Sequence, residues 1–389
     1  MTNARRALVV SLSPLATDPR ILREIEWLAS DGWTVDSLGI GSIPDPRVQR
    51  HFATRTAPRW TRPRLVKGLL FSLVPYALRY RILTESLIPR DLRAASRRYD
   101  LIVANDVDFV PWLVAGGRAL RAAHGRVHLD LHEWHGEQPG RPSGVIARLV
   151  RNFDRWKAAS LTSEVFTSRS TVSPGLGEMY ARQYGIQPPT IVRSLPGYED
   201  LVPSPVDADS IDLVYHGIPD LSRGLGLFAE ALPLLEPRFH LHLMLMGSAA
   251  DQAPLRALLT SHADRVSFHD PVPVTEIARR INEWDVEVMF FPPIRPNLVF
   301  TLPNKFFEAV QGRLGVVIGE SPDMVRLAQA GGFGKVIEGW TAVDLAEGLN
   351  SLTRDDIAAM KESTRNAARD LNAENEGRVF LATIETPVS

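Results

Sequence analysis

Three segments in the second half of this chain place glycines, basic residues and a glutamate where they could hold one anion and one diol. In the first, Tyr215-His216-Gly217 closes an apolar stretch, and Arg223-Gly224 follows six residues later. A strand, a glycine turn and a basic residue opening a helix together offer backbone N–H groups, a positive helix end and a guanidinium to one anion. The plain alternative is a surface arginine beside a turn glycine. In the second segment, Gly247 follows the apolar run 241–246. The third is Leu302-Pro303-Asn304-Lys305-Phe306-Phe307-Glu308. Lys305 stands at the start of an expected helix, where an ammonium opposes the helix dipole unless it meets an anion. Glu308 lies one turn further on the same face. A phosphate on Lys305 with a ribose diol on Glu308 suits this spacing. A surface Lys–Glu pair, worth ~0.2–0.5 kcal/mol, is the alternative for this segment alone. With Arg223 and Gly247 beside it, a diphosphate site is the better reading.

Composition narrows the chemistry. The chain has 389 residues, 44% hydrophobic and 23% charged, enough for two sizeable cores. A net charge of −1 argues against whole-protein attraction to nucleic acid. The chain has no cysteine, which excludes disulfides, thiolate nucleophiles and zinc–thiolate sites. The first strand is not followed by G-x-G-x-x-G, and no G-x-x-x-x-G-K-[ST] occurs, so dehydrogenase and P-loop ATPase readings lose their fingerprints. No export signal is read at the N-terminus, and no apolar run reaches the ~20 residues of a membrane-spanning helix.

The elements that must position these residues alternate. In the first half, strands are expected at 7–12, 34–39, 101–104, 127–131, 164–167 and 171–172. Asp18-Pro19 reads as an N-cap and a first-turn proline for a helix that Gly32 ends. The stretch 196–209, rich in Pro, Asp and Ser, reads as a linker. Beyond it strands are expected at 211–215, 241–246, 266–269, 286–291 and 315–318, with helices at 224–235, 274–284, 305–311 and 344–352. Strand–helix alternation repeated twice predicts an α/β protein of two Rossmann-like, doubly wound domains facing a cleft. The expected boundaries are 1–200 and 201–370, with a helix over 371–389 returning to the first domain.

The segments 214–224 and 285–319, with the strand ending Leu245-Met246-Gly247, resemble the donor-binding half of GT-B glycosyltransferases. The resemblance is greatest to the mostly retaining family 4, in its Leu-Pro-Asn-Lys subgroup. The N-terminal Asp18-Pro19-Arg20-Ile21-Leu22-Arg23-Glu24 and the later Asp130-Leu131-His132-Glu133 are similar to segments of the same enzymes. The resemblance implies a nucleotide-diphosphate sugar (UDP-, GDP- or dTDP-linked) as donor, and no cofactor or metal. It implies donor contacts from His216, Gly217, Arg223, Gly247, Asn304, Lys305 and Glu308, with Arg223 on the diphosphate and Glu308 on the ribose hydroxyls. Ile218 stands where the family has its first basic residue, and Phe300 where it has the first glutamate of its pair; Lys305 and Asn304 are the candidate replacements. On the other half it implies His132 near the transferred sugar, with Asp130 and Glu133 as its catalytic neighbours. Retention would leave the donor phosphate to help deprotonate the acceptor. Inversion would need a base, from Asp130, Glu133, His135 or Glu137. A polar loop with ordinary hydrogen bonds is the plain alternative for His132–His135, and a metal on those two histidines lacks further ligands.

The stretch 55–90 carries Arg55, Arg59, Arg62, Arg64, Lys67, Arg79, Arg81 and Arg90 around an apolar run at 68–78. Basic flanks on an apolar run suit a helix lying on an anionic membrane surface; a core-facing helix pair is the equal alternative. The expected acceptor is a glycan, a lipid or a small molecule, the expected location cytoplasmic, with peripheral contact at the inner face of the membrane through 55–90. Two alternatives stay open: a non-catalytic nucleotide-sugar-binding subunit and a sugar-nucleotide epimerase of the same fold.

Overall fold

The computed structural model describes residues 5–54, 74–93, 99–116, 120–136 and 145–386. Contacts divide the chain into two compact units, one of Met1–Arg193 with Gly377–Ser389 and one of Ser194–Glu376. Each is built on one parallel sheet.

The first sheet contains β1 (Arg6–Pro14), β2 (Thr34–Ile40), β3 (Val48–Ala53), β4 (Tyr99–Asn105), β5 (Arg121–Leu131), β6 (Ser168–Thr171) and β7 (Thr190–Ile191), ordered β3-β2-β1-β4-β5-β6-β7. The second contains β8 (Ile211–Gly217), β9 (Phe239–Leu245), β10 (Val266–His269), β11 (Val286–Met289), β12 (Gly315–Ile318) and β13 (Gly334–Val336), ordered β10-β9-β8-β11-β12-β13. Both begin at a central strand, run outward twice, then return to the other side of it. That is the doubly wound order, and it creates a switch point between β1 and β4 and another between β8 and β11, where ligands characteristically bind. Strands covered on both faces need apolar side chains on both faces. Ala7, Leu8, Val9 and Val10 of β1, and Val316, Val317 and Ile318 of β12, are accordingly all fully buried.

Local signals set the element ends. The Asp18 carboxylate accepts from Arg20 N and Ile21 N at the start of the Pro19–Ser30 helix. Ile21, Ile25 and Leu28 of that helix are buried, and so, less usually, are Arg20 and Glu24. The helix Ala373–Glu385 brings Phe380 onto Trp27 (5.5 Å between ring centroids) and His128 in the first unit.

Several expected elements differ. Residues 164–167 form a turn that buries Val165 and Phe166, and the strand follows as the polar Ser168–Thr171. Its hydroxyls are satisfied inside: His128 of β5 bonds Ser168 Oγ and Ser170 Oγ, each at 2.8 Å. The helix expected at 224–235 shrinks to Gly226–Ala231 and a 3-10 turn at Leu232–Leu234. Gly224 is left-handed (φ +87°), and Pro233 has no N–H to give. Similarly, 274–284 is a 3-10 turn followed by a helix over Ile277–Ile281 alone. The stretch 196–209 has no regular structure but is tied down on the second unit. Glu199 N donates to Gln311 Oε1 (2.9 Å), and Arg313 Nε donates to Leu201 O (3.1 Å).

Much of the basic stretch, 55–73, lies outside the described residues, as does Glu137. The described end of that stretch buries one face and exposes the other. In the Tyr76–Leu83 helix, Arg79 is 3% exposed and stacks on Tyr76 and Phe153. Leu78 and Ile82 are exposed. Among the described residues, no helix is long and apolar enough to cross a membrane.

Candidate active site

In the second unit the expected donor residues gather at the carboxyl ends of β8 and β9 and on the Asn304–Gln311 helix. Gly217 ends β8 at φ +121°, a conformation that L side chains rarely adopt. A Cβ there would stand 3.2 Å from Lys305 Nζ, so the lysine lies across the end of the strand. Lys305 is half-buried, with its ammonium 5.1 Å from the Tyr215 ring centroid and 5.7 Å from that of Phe291. It makes no hydrogen bond or ion pair among the described residues. Burial lowers its pKa; Arg223 adds to this, while Glu287 and Glu308 pull the other way. An ammonium held against two rings, and making no hydrogen bond among the described residues, is set up to receive an anion.

Arg223 ends the Leu221–Arg223 turn, one residue before left-handed Gly224. A Cβ on Gly224 would come within 2.6 Å of Pro292 Cδ, so only glycine lets this loop pack on the segment after β11. The arginine Nε is 3.4 Å from Asp220 Oδ2, close enough for an ion pair but without hydrogen-bond geometry. Asp220 is held below the usual carboxyl range by hydrogen bonds from Ser222, then by Arg223 and Arg295. Arg295 is therefore a further cation near this loop, one that the sequence reading passed over. Gly247 (φ +94°) follows β9 and precedes the Ser248–Asp251 capping box of the Ala249–Leu259 helix. Asn304 opens the helix that carries Lys305 and Glu308, and Ile218, directly after Gly217, is 57% exposed.

His216 and Glu308 are joined. His216 Nε2 donates to Glu308 Oε2 at 2.8 Å, and His216 Nδ1 donates to Glu287 Oε2 at 2.9 Å. A carboxylate oxygen on each ring nitrogen favours the imidazolium, which alone can donate to both. Burial opposes that charge, but Glu287 and Glu308 outweigh it and hold the pKa at about 9. Glu287, fully buried on β11, was not anticipated. An acid within Val286-Glu287-Val288-Met289 was the available signal, because a glutamate inside a parallel strand requires a partner. Because the folded protein binds this proton more tightly than the ordinary pKa of ~6.5, the stabilisation is complete below that pH and is lost as pH rises toward 9. Wild type is expected to melt at lower temperature at pH 9.5 than at pH 6, and His216→Gln to show a smaller difference; thermal melts of both proteins check this.

In the first unit, Asp130, His132 and Glu133 end and follow β5. Arg20 clamps Asp130 with its fork, Nε to Oδ2 and Nη2 to Oδ1, each at 2.5 Å, and its Nη1 donates to Val192 O at 2.9 Å. Ser170 Oγ also donates to Asp130 Oδ1. Burial would raise the Asp130 carboxyl, but Arg20 and His132 hold it well below the carboxylate range. His132 Nε2 is 2.8 Å from Asp106 Oδ2, and its Nδ1 is 3.3 Å from Asp130 Oδ2. Burial works against the imidazolium, yet the two aspartates raise its pKa well above the usual histidine value. His135 Nε2 meets the other Asp106 oxygen at 3.0 Å. Asp106 thus holds both histidines from the end of β4, in a left-handed backbone (φ +56°) that aspartate tolerates better than most residues. The sequence reading missed it; its signal was an acid directly after the apolar strand 101–104. Glu133 is exposed, and its carbonyl accepts from Tyr180 Oη at 2.5 Å. Beneath the cluster, burial and then Asp130 push the Glu24 carboxyl up to about 8, and Asn105 Nδ2 donates to it at 2.8 Å.

No protein-family model and no curated protein sequence matches the chain. Solved structures do. A sucrose-phosphate synthase from Thermosynechococcus elongatus superposes with a TM-score of 0.66 at 15% identity, covering 97% of this chain and 98% of that one. The lipopolysaccharide outer core galactosyltransferase WaaB, in its apo form, gives 0.65 at 11% identity, covering 98% and 99%. A trehalose-6-phosphate protein from E. coli, bound with UDP-2-fluoro glucose, gives 0.64 at 10% identity, again covering 98% and 99%. With its two parallel, doubly wound sheets, the chain has the GT-B fold of these glycosyltransferases.

Proposed function

We propose that the chain is a glycosyltransferase that takes a nucleotide-diphosphate sugar on its second unit and transfers the sugar, with retention, to a glycan, lipid-linked or natural-product acceptor. The observation that carries the reading is Lys305. Its ammonium lies across the glycine end of β8, walled by Tyr215 and Phe291, with no hydrogen-bond acceptor among the described residues. Arg223 and Arg295 add positive charge, and Glu308 supplies a carboxylate one turn from Lys305. These are the parts needed to bind a diphosphate and a ribose diol. Charge on the leaving diphosphate is what a transferase of this kind must stabilise, and preorganised cations do so without reorganising during the reaction.

The state of the β5 cluster removes Asp130 from the bases that inversion would need, leaving Glu133, His135 and Glu137. A general base needs an unprotonated atom facing the acceptor. His132 gives both ring nitrogens to aspartates, and Asp130 is clamped by Arg20. Neither has a basic atom to offer, so His132 serves as a fixed cation that orients the sugar or the acceptor. The first unit is accordingly assigned to the acceptor.

Calorimetry with UDP-, GDP- and dTDP-sugars, followed by transfer assays and NMR of the product anomer, tests the reading. Binding of one sugar nucleotide, transfer to an acceptor and a retained anomer are expected. Binding without turnover on any acceptor would make the chain a binding subunit; conversion of the donor alone would make it an epimerase. Glu308→Gln is expected to weaken the preferred donor roughly tenfold, since an amide has one acceptor oxygen where the carboxylate has two and lacks its charge.

A further inference from the structure

Glu287 and His216 form a buried line of charge that ends on Glu308. Glu287 sits on β11 and His216 on β8, neighbouring strands at the switch point of the second sheet. Glu287 is fully buried, and its Oε2 accepts from His216 Nδ1 at 2.9 Å. His216 is 4% exposed, and its Nε2 donates to Glu308 Oε2 at 2.8 Å. A strand can close its core with an apolar residue, and a buried pair of acids around a histidine is a costly alternative to one. Here the geometry does something that an apolar residue cannot. A glutamate on a helix has three flexible torsions. Anchoring one of its oxygens on a rigid strand fixes the direction in which the carboxylate faces.

We propose that Glu287 and His216 are positioning residues that hold the Glu308 carboxylate, as an ion and in one orientation, for the ribose hydroxyls of the donor. This rests on the donor-site reading above. His216 touches no ligand in this scheme; it acts through Glu308. The groups facing the imidazolium are Glu287 from β11 and Glu308 from the Asn304–Gln311 helix. Lys305, on that same helix, acts in turn on Glu287 and is itself acted on by Arg223. With both carboxylates in place His216 stays charged through neutrality. With Glu287 made neutral, the ring should titrate near its ordinary value and change from a charge-assisted donor to a weaker neutral one.

The test measures dissociation constants of the full chain for UDP, GDP and dTDP, and for the 2′-deoxy form of UDP or GDP, whichever binds better, at pH 6 and pH 8. The readout is the ratio of 2′-deoxy to ribo affinity. Wild type should prefer the ribonucleotide by about tenfold at both values, the loss expected for one charge-assisted hydrogen bond. Glu287→Gln should keep that ratio at pH 6 and lose about threefold or more of it at pH 8, where the ring has lost its proton. If Glu287→Gln does not fold, His216→Gln replaces it. Its side chain cannot titrate, and its ratio should be lowered equally at both values. A Glu287→Gln ratio equal to wild type at both values, or lowered equally at both, would overturn the proposal, as would an unchanged His216→Gln ratio. Lys305→Ala separates this from the donor reading, because it should weaken ribo and deoxy forms alike and leave the ratio unchanged. If wild type binds no nucleoside diphosphate, the donor reading falls and this inference falls with it.

Discussion

Lys305→Ala should bind the donor nucleotide about 10- to 100-fold more weakly than wild type, the range for one hydrogen bond to a charged group. The reason is the setting of the ammonium. It is partly withdrawn from water, lies over two aromatic rings and has no carboxylate partner within ion-pair distance among the described residues. A diphosphate would therefore gain the contact without breaking an existing one. Arg223→Ala should lose less. Its side chain is 37% exposed and lies beside Asp220, so part of its charge is already screened and shared. Titration calorimetry of both variants, with circular dichroism to confirm the fold, measures the difference. Unchanged affinity in Lys305→Ala would remove the diphosphate from this site. Loss on Arg223→Ala alone would move it toward the Asp220 loop.

Arg20→Ala should lose about 3–5 kcal/mol of stability, the usual cost of leaving a buried charge without its partner. Asp130 is fully buried, and Arg20 donates to both of its oxygens. Removing the guanidinium leaves the carboxylate with Ser170 and His132, and it also frees Val192 O, which Arg20 caps from the start of the Pro19–Ser30 helix. A paired substitution tests the cause. Arg20→Leu with Asp130→Leu removes both charges and should recover much of the loss, since well-packed apolar pairs often match buried ion pairs in stability. Urea denaturation of the wild type, the single variant and the double variant gives the comparison. A single variant as stable as wild type would mean that Asp130 takes a proton on losing its partner, at little cost. In that case the cluster could be rebuilt around a neutral acid.

The sequence alone was enough to establish the architecture, because the information that defines it is local or periodic. Apolar runs such as 7–10 and 315–318 must lie in strands buried on both faces, and they do. Asp18-Pro19 caps a helix wherever that helix packs, because its hydrogen bonds reach only two and three residues ahead. Reading failed where local pattern and tertiary need diverged. The strand Ser168–Thr171 is polar, and only the buried His128 that bonds its hydroxyls makes it tolerable inside a sheet. Val165 and Phe166 had the better strand composition, yet their place in the core is reached from a turn. The Lys305–Glu308 spacing was legible, but the partners of those two residues were not. Lys305 rests on rings from β8 and from the segment after β11, while Glu308 bonds to a histidine 92 positions away. Asp106 and Glu287, each joined to a histidine that the sequence reading had chosen, were missed for the same reason. Hydrogen bonds between strands that are adjacent only in the sheet follow from strand order, and strand order is set by the packing of the whole unit and leaves no periodic trace in the chain.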